Sequence, residues 1–288
     1  MSLFRKKKEE KILEPEYLMS QTNMPTLNYK VYYMSKLEKV LTFLAAFIVG
    51  GAVGYLFYGG MAKDINGEPT KLTYILNVIV VAITGTIAGK LYLPMRVKSI
   101  INKRYLNLRL QFRELLDALT TSLGSGKNVT DSFKSAYDDM QMLYSEDAYI
   151  VQELKVILSG IANNIQIEVL LQDFGARSNI DDIMSFANVF ETCYRKGGNI
   201  KEIIQSTHKI INDKMEVELE IQTIITSSAT EQKIMTVMPV ALIAMIKMMS
   251  PEFASNFVSP IGIISSTIAL VMIVASYFIG KKIMDIKV

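Results

Sequence analysis

The chain has 288 residues, of which 50% are hydrophobic, a mean hydropathy of +0.26, a net charge of +3, one histidine and one cysteine. This is too apolar for an ordinary water-soluble domain of its length, so membrane segments are expected first. The small basic excess flanks apolar segments, which favours contact with anionic membrane lipid and argues for no nucleic-acid partner, and a lone Cys193 excludes an intrachain disulfide.

Residues 1–39 form a basic segment carrying Arg5, Lys6, Lys7, Lys8 and Lys11. The long polar stretch before the first apolar run argues against a cleaved signal peptide. Two charge-free runs follow at 40–60 and 72–89. Each is long enough to cross a hydrocarbon core of about 30 Å as a helix, so 40–94 holds transmembrane helices 1 and 2. Gly50 and Gly54 in the first, and Gly85 and Gly89 in the second, are small-xxx-small pairs that let backbones approach closely. Packing of the two spans on each other and packing against another subunit fit these pairs equally well.

Lys90, Arg96, Lys98, Lys103 and Arg104 follow the second span and place the next segment in the cytoplasm. Residues 95–233 show helical periodicity and no strand-like alternation, and they divide into six helices. The first continues from the second span to about Leu123 with Leu108, Phe112, Leu115, Leu116 and Leu119 on one face. The others are predicted near 129–143, around 150–161, at 167–176, at 180–195, and from Ile200 toward the third span.

Between the first two lies Gly-Ser-Gly-Lys, residues 124–127. A phosphate loop needs a glycine five residues before its Gly-Lys pair and a Ser or Thr after the lysine, but Thr121 and Asn128 occupy those places. The glycines therefore read as a corner: Gly124 and Gly126 end one helix and Asn128 caps the next. The same chemistry recurs at Gly197, Gly198 and Asn199, aligning Val129 with Ile200, Asp131 with Glu202 and Phe133 with Ile204. Asn179, three residues before Asp182, reads as a third cap of this kind.

A second apolar pair lies at 234–249 and 261–280, the former containing Pro239, which should kink it, and Lys247, close enough to one end to snorkel. A basic tail with Lys281, Lys282 and Lys287 closes the chain at 281–288. The loops "MAKDINGEPTK" and "SPEFASNFVSP" lack net positive charge and fall outside, so both termini are cytoplasmic. The expected fold class is all-α, with four transmembrane helices in two pairs flanking a six-helix cytoplasmic bundle domain.

Neither catalysis nor a cofactor is expected, because one His, one Cys and no metal-ligand spacing supply too few groups. His208 reads as a solvated residue, Cys193 as packing, and the Asn128-Val129-Thr130 sequon as cytoplasmic and unmodified. Asp213, Glu216, Glu218 and Glu220 form a charge run that is a solvated face or, in the minority reading, a docking surface for a partner. A transporter or channel is the rival function, weighed down by span interiors that offer little beyond Thr42, Asn77 and Thr84.

The apolar helix, glycine corner and amphipathic helix, repeated after "FGARSNIDDIMSFANVFETCYRKGGNIKEIIQSTHKI", resemble the cytoplasmic domain of the type II secretion system F family. One such domain between two span pairs resembles the TadB/TadC branch, inner-membrane platform proteins of tight-adherence (Flp) pili. The likeness runs from about Arg96 to "KKIMDIKV" and includes Pro239, Pro251 and Gly262, with the Gly197-Gly198 doublet its most specific part. It implies a non-enzymatic platform in the inner membrane that passes the motion of a hexameric cytoplasmic ATPase to pilin subunits. A paralogous platform protein or further copies of the same chain are the other implied partners.

Overall fold

The computed structural model describes residues 14–62, 68–249 and 256–284, and is 80% helical with almost no sheet. In chain order the elements are β1 (Tyr17–Met19), β2 (Pro25–Leu27), α1 (Lys36–Tyr58), α2 (Lys71–Gly124), α3 (Val129–Leu143), α4 (Tyr149–Ala162), α5 (Ile167–Ser178), α6 (Asp181–Lys196), α7 (Ile200–Met249) and α8 (Pro260–Met284). They divide into two compact units, one of residues 1–33 and 97–213, the other of 34–96 and 214–288. The basic residues at 5–11, residues 63–67 and 250–255 of the loops between the spans, Pro251 among them, and the tail from residue 285 lie outside the described residues.

The first unit is built around large side chains. Leu108, Phe112, Leu115, Leu116 and Leu119 recur at helical spacing along α2 and are all buried. Phe133 of α3, Leu154 of α4, Phe174 of α5, Phe186 and Phe190 of α6 and Ile204 of α7 are buried as well, with the Phe112 ring against those of Phe174 and Phe186 and Phe133 against Phe190. Aromatic edges organise it: Phe112 lies 5.5 Å from Phe186 and Phe186 lies 5.7 Å from Phe190, centroid to centroid. Each such ring contributes on the order of 1.5–3 kcal/mol through removal from water.

The departure from an all-α reading lies in the N-terminal segment. Residues there form a small antiparallel hairpin that pairs Tyr17 with Leu27 and Met19 with Pro25. Ser20 closes its turn by donating to the Met24 carbonyl at 3.0 Å, with Asn23 left-handed at φ 56. Asn28 then donates to the Pro15 carbonyl at 2.9 Å. Two three-residue strands are too short to show a periodicity, and a hairpin of this size stands only against another surface.

Four helices, α1, α2, α7 and α8, are long and apolar enough to cross a membrane, which marks the chain as a multi-pass membrane protein. Ser35 caps α1 by accepting the Glu38 amide at 3.1 Å. Ser259 likewise accepts the Gly262 amide at 3.1 Å, with Pro260 at the first helical position, where its missing N–H costs nothing. Most of the apolar surface faces outward, including Leu41, Ile48 and Val78. In lipid such exposure carries no penalty, so close backbone packing replaces hydrophobic burial.

The four span glycines pack inside the chain. A Cβ built on Gly50 would overlap the Ala88 methyl and one on Gly54 the Thr84 side chain. Gly85 and Gly89 lie under the rings of Phe47 and Phe43. Within the chain these glycines lie where α1 packs against the apolar part of α2. α2 and α7 run without interruption through Pro94 and Pro239.

Candidate functional site

The two glycine corners are set by backbone conformation. Gly126 has φ 87 and Gly197 has φ 73, and a Cβ added to either would meet nothing within 4 Å, so conformation rather than space favours glycine. Gly124 is the last residue of α2, and Gly198 keeps negative φ while its amide donates to the Cys193 carbonyl at 2.7 Å. Asn128 accepts the Asp131 amide at 2.8 Å, and Asn199 accepts that of Glu202 at 3.3 Å. A Cβ on Gly124 would come within 3.9 Å of Lys201 Nζ, so the corners are neighbours. Lys127 donates to Ser135 Oγ at 2.7 Å, a local bond across its own corner.

Asn179 is a correction. It sits at φ 55 as the C-cap of α5, and Ile180, without a side-chain bond, precedes α6. Asparagine tolerates the left-handed region better than other non-glycine residues, so it ends one helix rather than starting the next. The amide after it is served by Ser178, whose Oγ accepts from Ile180 at 3.3 Å.

Beneath the hairpin lies a buried ionic network that the sequence reading missed. Arg177 of α5 donates to both Glu153 oxygens at 3.0 and 2.8 Å and, through Nε, to Asp173 at 2.7 Å. Tyr29 Oη donates to Glu153 Oε1 at 2.9 Å, and its ring meets Tyr149 edge-on at 5.7 Å. Burial opposes the charge on Arg177, yet bonds to Glu153 and Asp173 outweigh it and hold the guanidinium proton more tightly than usual. Burial, then the adjacent Glu153 carboxylate, raises the Tyr29 hydroxyl well above its ordinary value. Arg104 adds a bond to the Val31 carbonyl at 3.1 Å and lies 4.6 Å from the Tyr32 ring centroid. The clue lay in Glu153, three residues after Ile150 and four before Ile157 on a face otherwise apolar.

His208 bonds Asn212 at 3.1 Å and approaches Asp117 at 4.0 Å, an arrangement with no nucleophile. On α7, Asp213, Glu216 and Glu220 are exposed and Glu218 is half-buried. Cys193 is half-buried. Among the described residues no group of acidic, His and Cys side chains could hold a metal ion.

In the second unit, Lys247 Nζ donates to the Leu56 carbonyl at 2.6 Å, at the C-terminal end of α1, where a cation complements the helix dipole. Asn77 accepts the Gly60 amide at 3.0 Å, and Thr84 donates back to the Val80 carbonyl at 2.8 Å. These three side chains thus each bond backbone. No protein-family model, curated protein or solved structure matches the chain.

Proposed function

We propose that the chain is an inner-membrane platform protein of a pilus-assembly or type II secretion-like machine, coupling a cytoplasmic hexameric ATPase to extraction and polymerisation of pilin subunits. The observation that carries this reading is the pair α2 and α7, helices of 54 and 50 residues. Each begins or ends in an apolar span and continues without a break into the helical core of the first unit. At 1.5 Å per residue each is on the order of 75–80 Å long, a single helix lacking only the bond that Pro94 or Pro239 cannot donate, and suited to carrying displacement.

In this reading residues 97–213 and both termini are cytoplasmic, following the basic residues around the spans. The two span pairs flank a six-helix cytoplasmic domain, the ATPase supplies hydrolysis, and this chain supplies no catalytic group. The exposed carboxylates Asp213, Glu216 and Glu220, with Glu218 beside them, offer a docking face, and a paralogue or further copies complete the platform. Co-purification from native membranes is expected to bring down a cytoplasmic ATPase and a second platform protein. A transporter or channel is the second reading, motivated by Lys247 and Asn77. Substrate flux in vesicles containing only this protein would select it and sink the platform reading.

A further inference from the structure

The chain has one histidine, and the fold sets it where the two long helices meet. Inside the first unit α2 and α7 pass each other in opposite directions. A Cβ on Gly124 would lie 3.9 Å from Lys201 Nζ, and about two turns along each helix from there His208 Nε2 lies 4.0 Å from Asp117 Oδ1. Ile204 and Ile211, a turn to either side of His208, are buried, so the ring borders the packed face of α7. Its side chain is 22% exposed, against 62% for Asp117 on the open side of the contact.

The ring nitrogen that approaches Asp117 also faces Asn212, one turn on in α7, with Nε2 3.1 Å from Asn212 Nδ2. These two partners ask opposite things of one atom. An amide nitrogen only donates, so Nε2 must be bare to accept from it; an ionised carboxylate only accepts, so Nε2 must carry a proton to bond it. Among the described residues no other side chain hydrogen-bonds the ring or lies within ion-pair distance of it. The other charges on the adjoining turns are Glu114, engaged by Arg113, on α2, and the exposed Lys209 and Asp213 on α7.

We infer that His208 is a proton-operated clasp between α2 and α7. With Nε2 bare, the ring accepts the Asn212 amide and its bond stays within α7. With Nε2 protonated, it turns from that donor to Asp117 and ties α7 to α2. Histidine is the side chain that ordinarily changes charge between about pH 5 and 8, so the clasp closes toward the acid end of that range. A plain surface histidine would have no fixed partner at Nε2 and would leave the helix contact indifferent to pH. The clasp stands apart from the proposed function; under that function it sets how firmly the two long helices are joined inside the first unit.

Two measurements on the full chain in detergent micelles test it. With one histidine in the sequence, nitrogen-labelled histidine gives a single imidazole spectrum. At about pH 8 the wild type is expected to carry its ring proton on Nδ1, the reverse of the form that a histidine free in water favours, and Asn212→Leu restores the ordinary form. The second measurement is a double-mutant cycle of Asp117→Asn and His208→Gln, read from the unfolding equilibrium. At about pH 5.5 the two changes are expected to couple, displacing the folding equilibrium about two- to fivefold from additivity, the size of an exposed ion pair. At about pH 8 they are additive, because a neutral ring offers Asp117 no charge. A wild-type ring proton on Nε2 at the higher pH, additivity at the lower pH, or equal coupling at both overturns the inference. Should a variant fail to fold, the wild-type spectrum at the higher pH decides.

Discussion

The two units solve the same problem, packing helices against helices, with opposite side chains. In residues 97–213 the contacts are made by Phe112, Phe133, Phe174, Phe186 and Phe190, all fully buried. In the membrane unit α1 and α2 meet through Gly50, Gly54, Gly85 and Gly89, while leucines, isoleucines and valines point away. Water rewards burying a large ring; lipid does not, so there the helices gain by approaching until backbones and small groups touch. A composition average over the chain conceals this division, and the position of its large side chains reveals it.

The largest contrast comes from truncating a large side chain in each unit. Phe186→Ala is expected to cost about 3–5 kcal/mol in the full chain, as a ring lost from a close-packed core. Val78→Ala, at a position 68% exposed, is expected to stay within about 0.5 kcal/mol. Chemical denaturation in detergent micelles reads both, and comparable losses would erase the distinction. Enlarging rather than truncating reverses the order: Gly54→Val, which drives a side chain into Thr84, is expected to cost about 1–3 kcal/mol through overpacking. An engineered cysteine pair across α1 and α2 that crosslinks as efficiently in this variant would show the glycine contact to be dispensable.

A sharper comparison lies within the glycine corners. Gly197→Ala is expected to cost about 1 kcal/mol, since a side chain at φ 73 is strained although nothing crowds it. Gly124→Ala, at a helical position with only Lys201 near, should be neutral or slightly stabilising. Matching thermal midpoints for the two would remove the conformational account of Gly197.

The smallest effect concerns Tyr29. Its hydroxyl is held protonated above its ordinary value, so the unfolded chain releases that proton first as pH rises. Stability from this group is therefore complete below about pH 10 and falls as pH climbs past it. Tyr29→Phe should cost about 0.5–1.5 kcal/mol at neutral pH and remove this alkaline component. Hydrogen exchange at residues 17–27, followed on both sides of pH 10, distinguishes release of the hairpin from general unfolding; a Phe variant as alkali-sensitive as the wild type would refute the assignment.

The helices of residues 97–213 were legible in the sequence because Leu108, Phe112, Leu115 and Phe133, Ala136, Met140 repeat at the period of a helix surface. The corners were legible because Gly126 and Gly197 precede Asn caps. The Asn179 position misled because asparagine serves both a helix start and a left-handed stop, and spacing to an acid does not separate them. The hairpin was illegible because three-residue strands carry no period. The Tyr29, Glu153 and Arg177 network was equally hidden, since its members lie up to 148 residues apart and meet only in the folded unit.

The claim at the centre of this account is that α7, with α2, transmits displacement as an unbroken helix. A Gly-Ser insertion after Ser227, an exposed position within α7, breaks that continuity while leaving the elements on either side intact. Pilus production is measured in cells carrying the variant, together with its membrane level and the ATPase recovered with it. The account predicts normal insertion and normal ATPase recovery with pilus assembly lost. Full assembly in the insertion variant would contradict it.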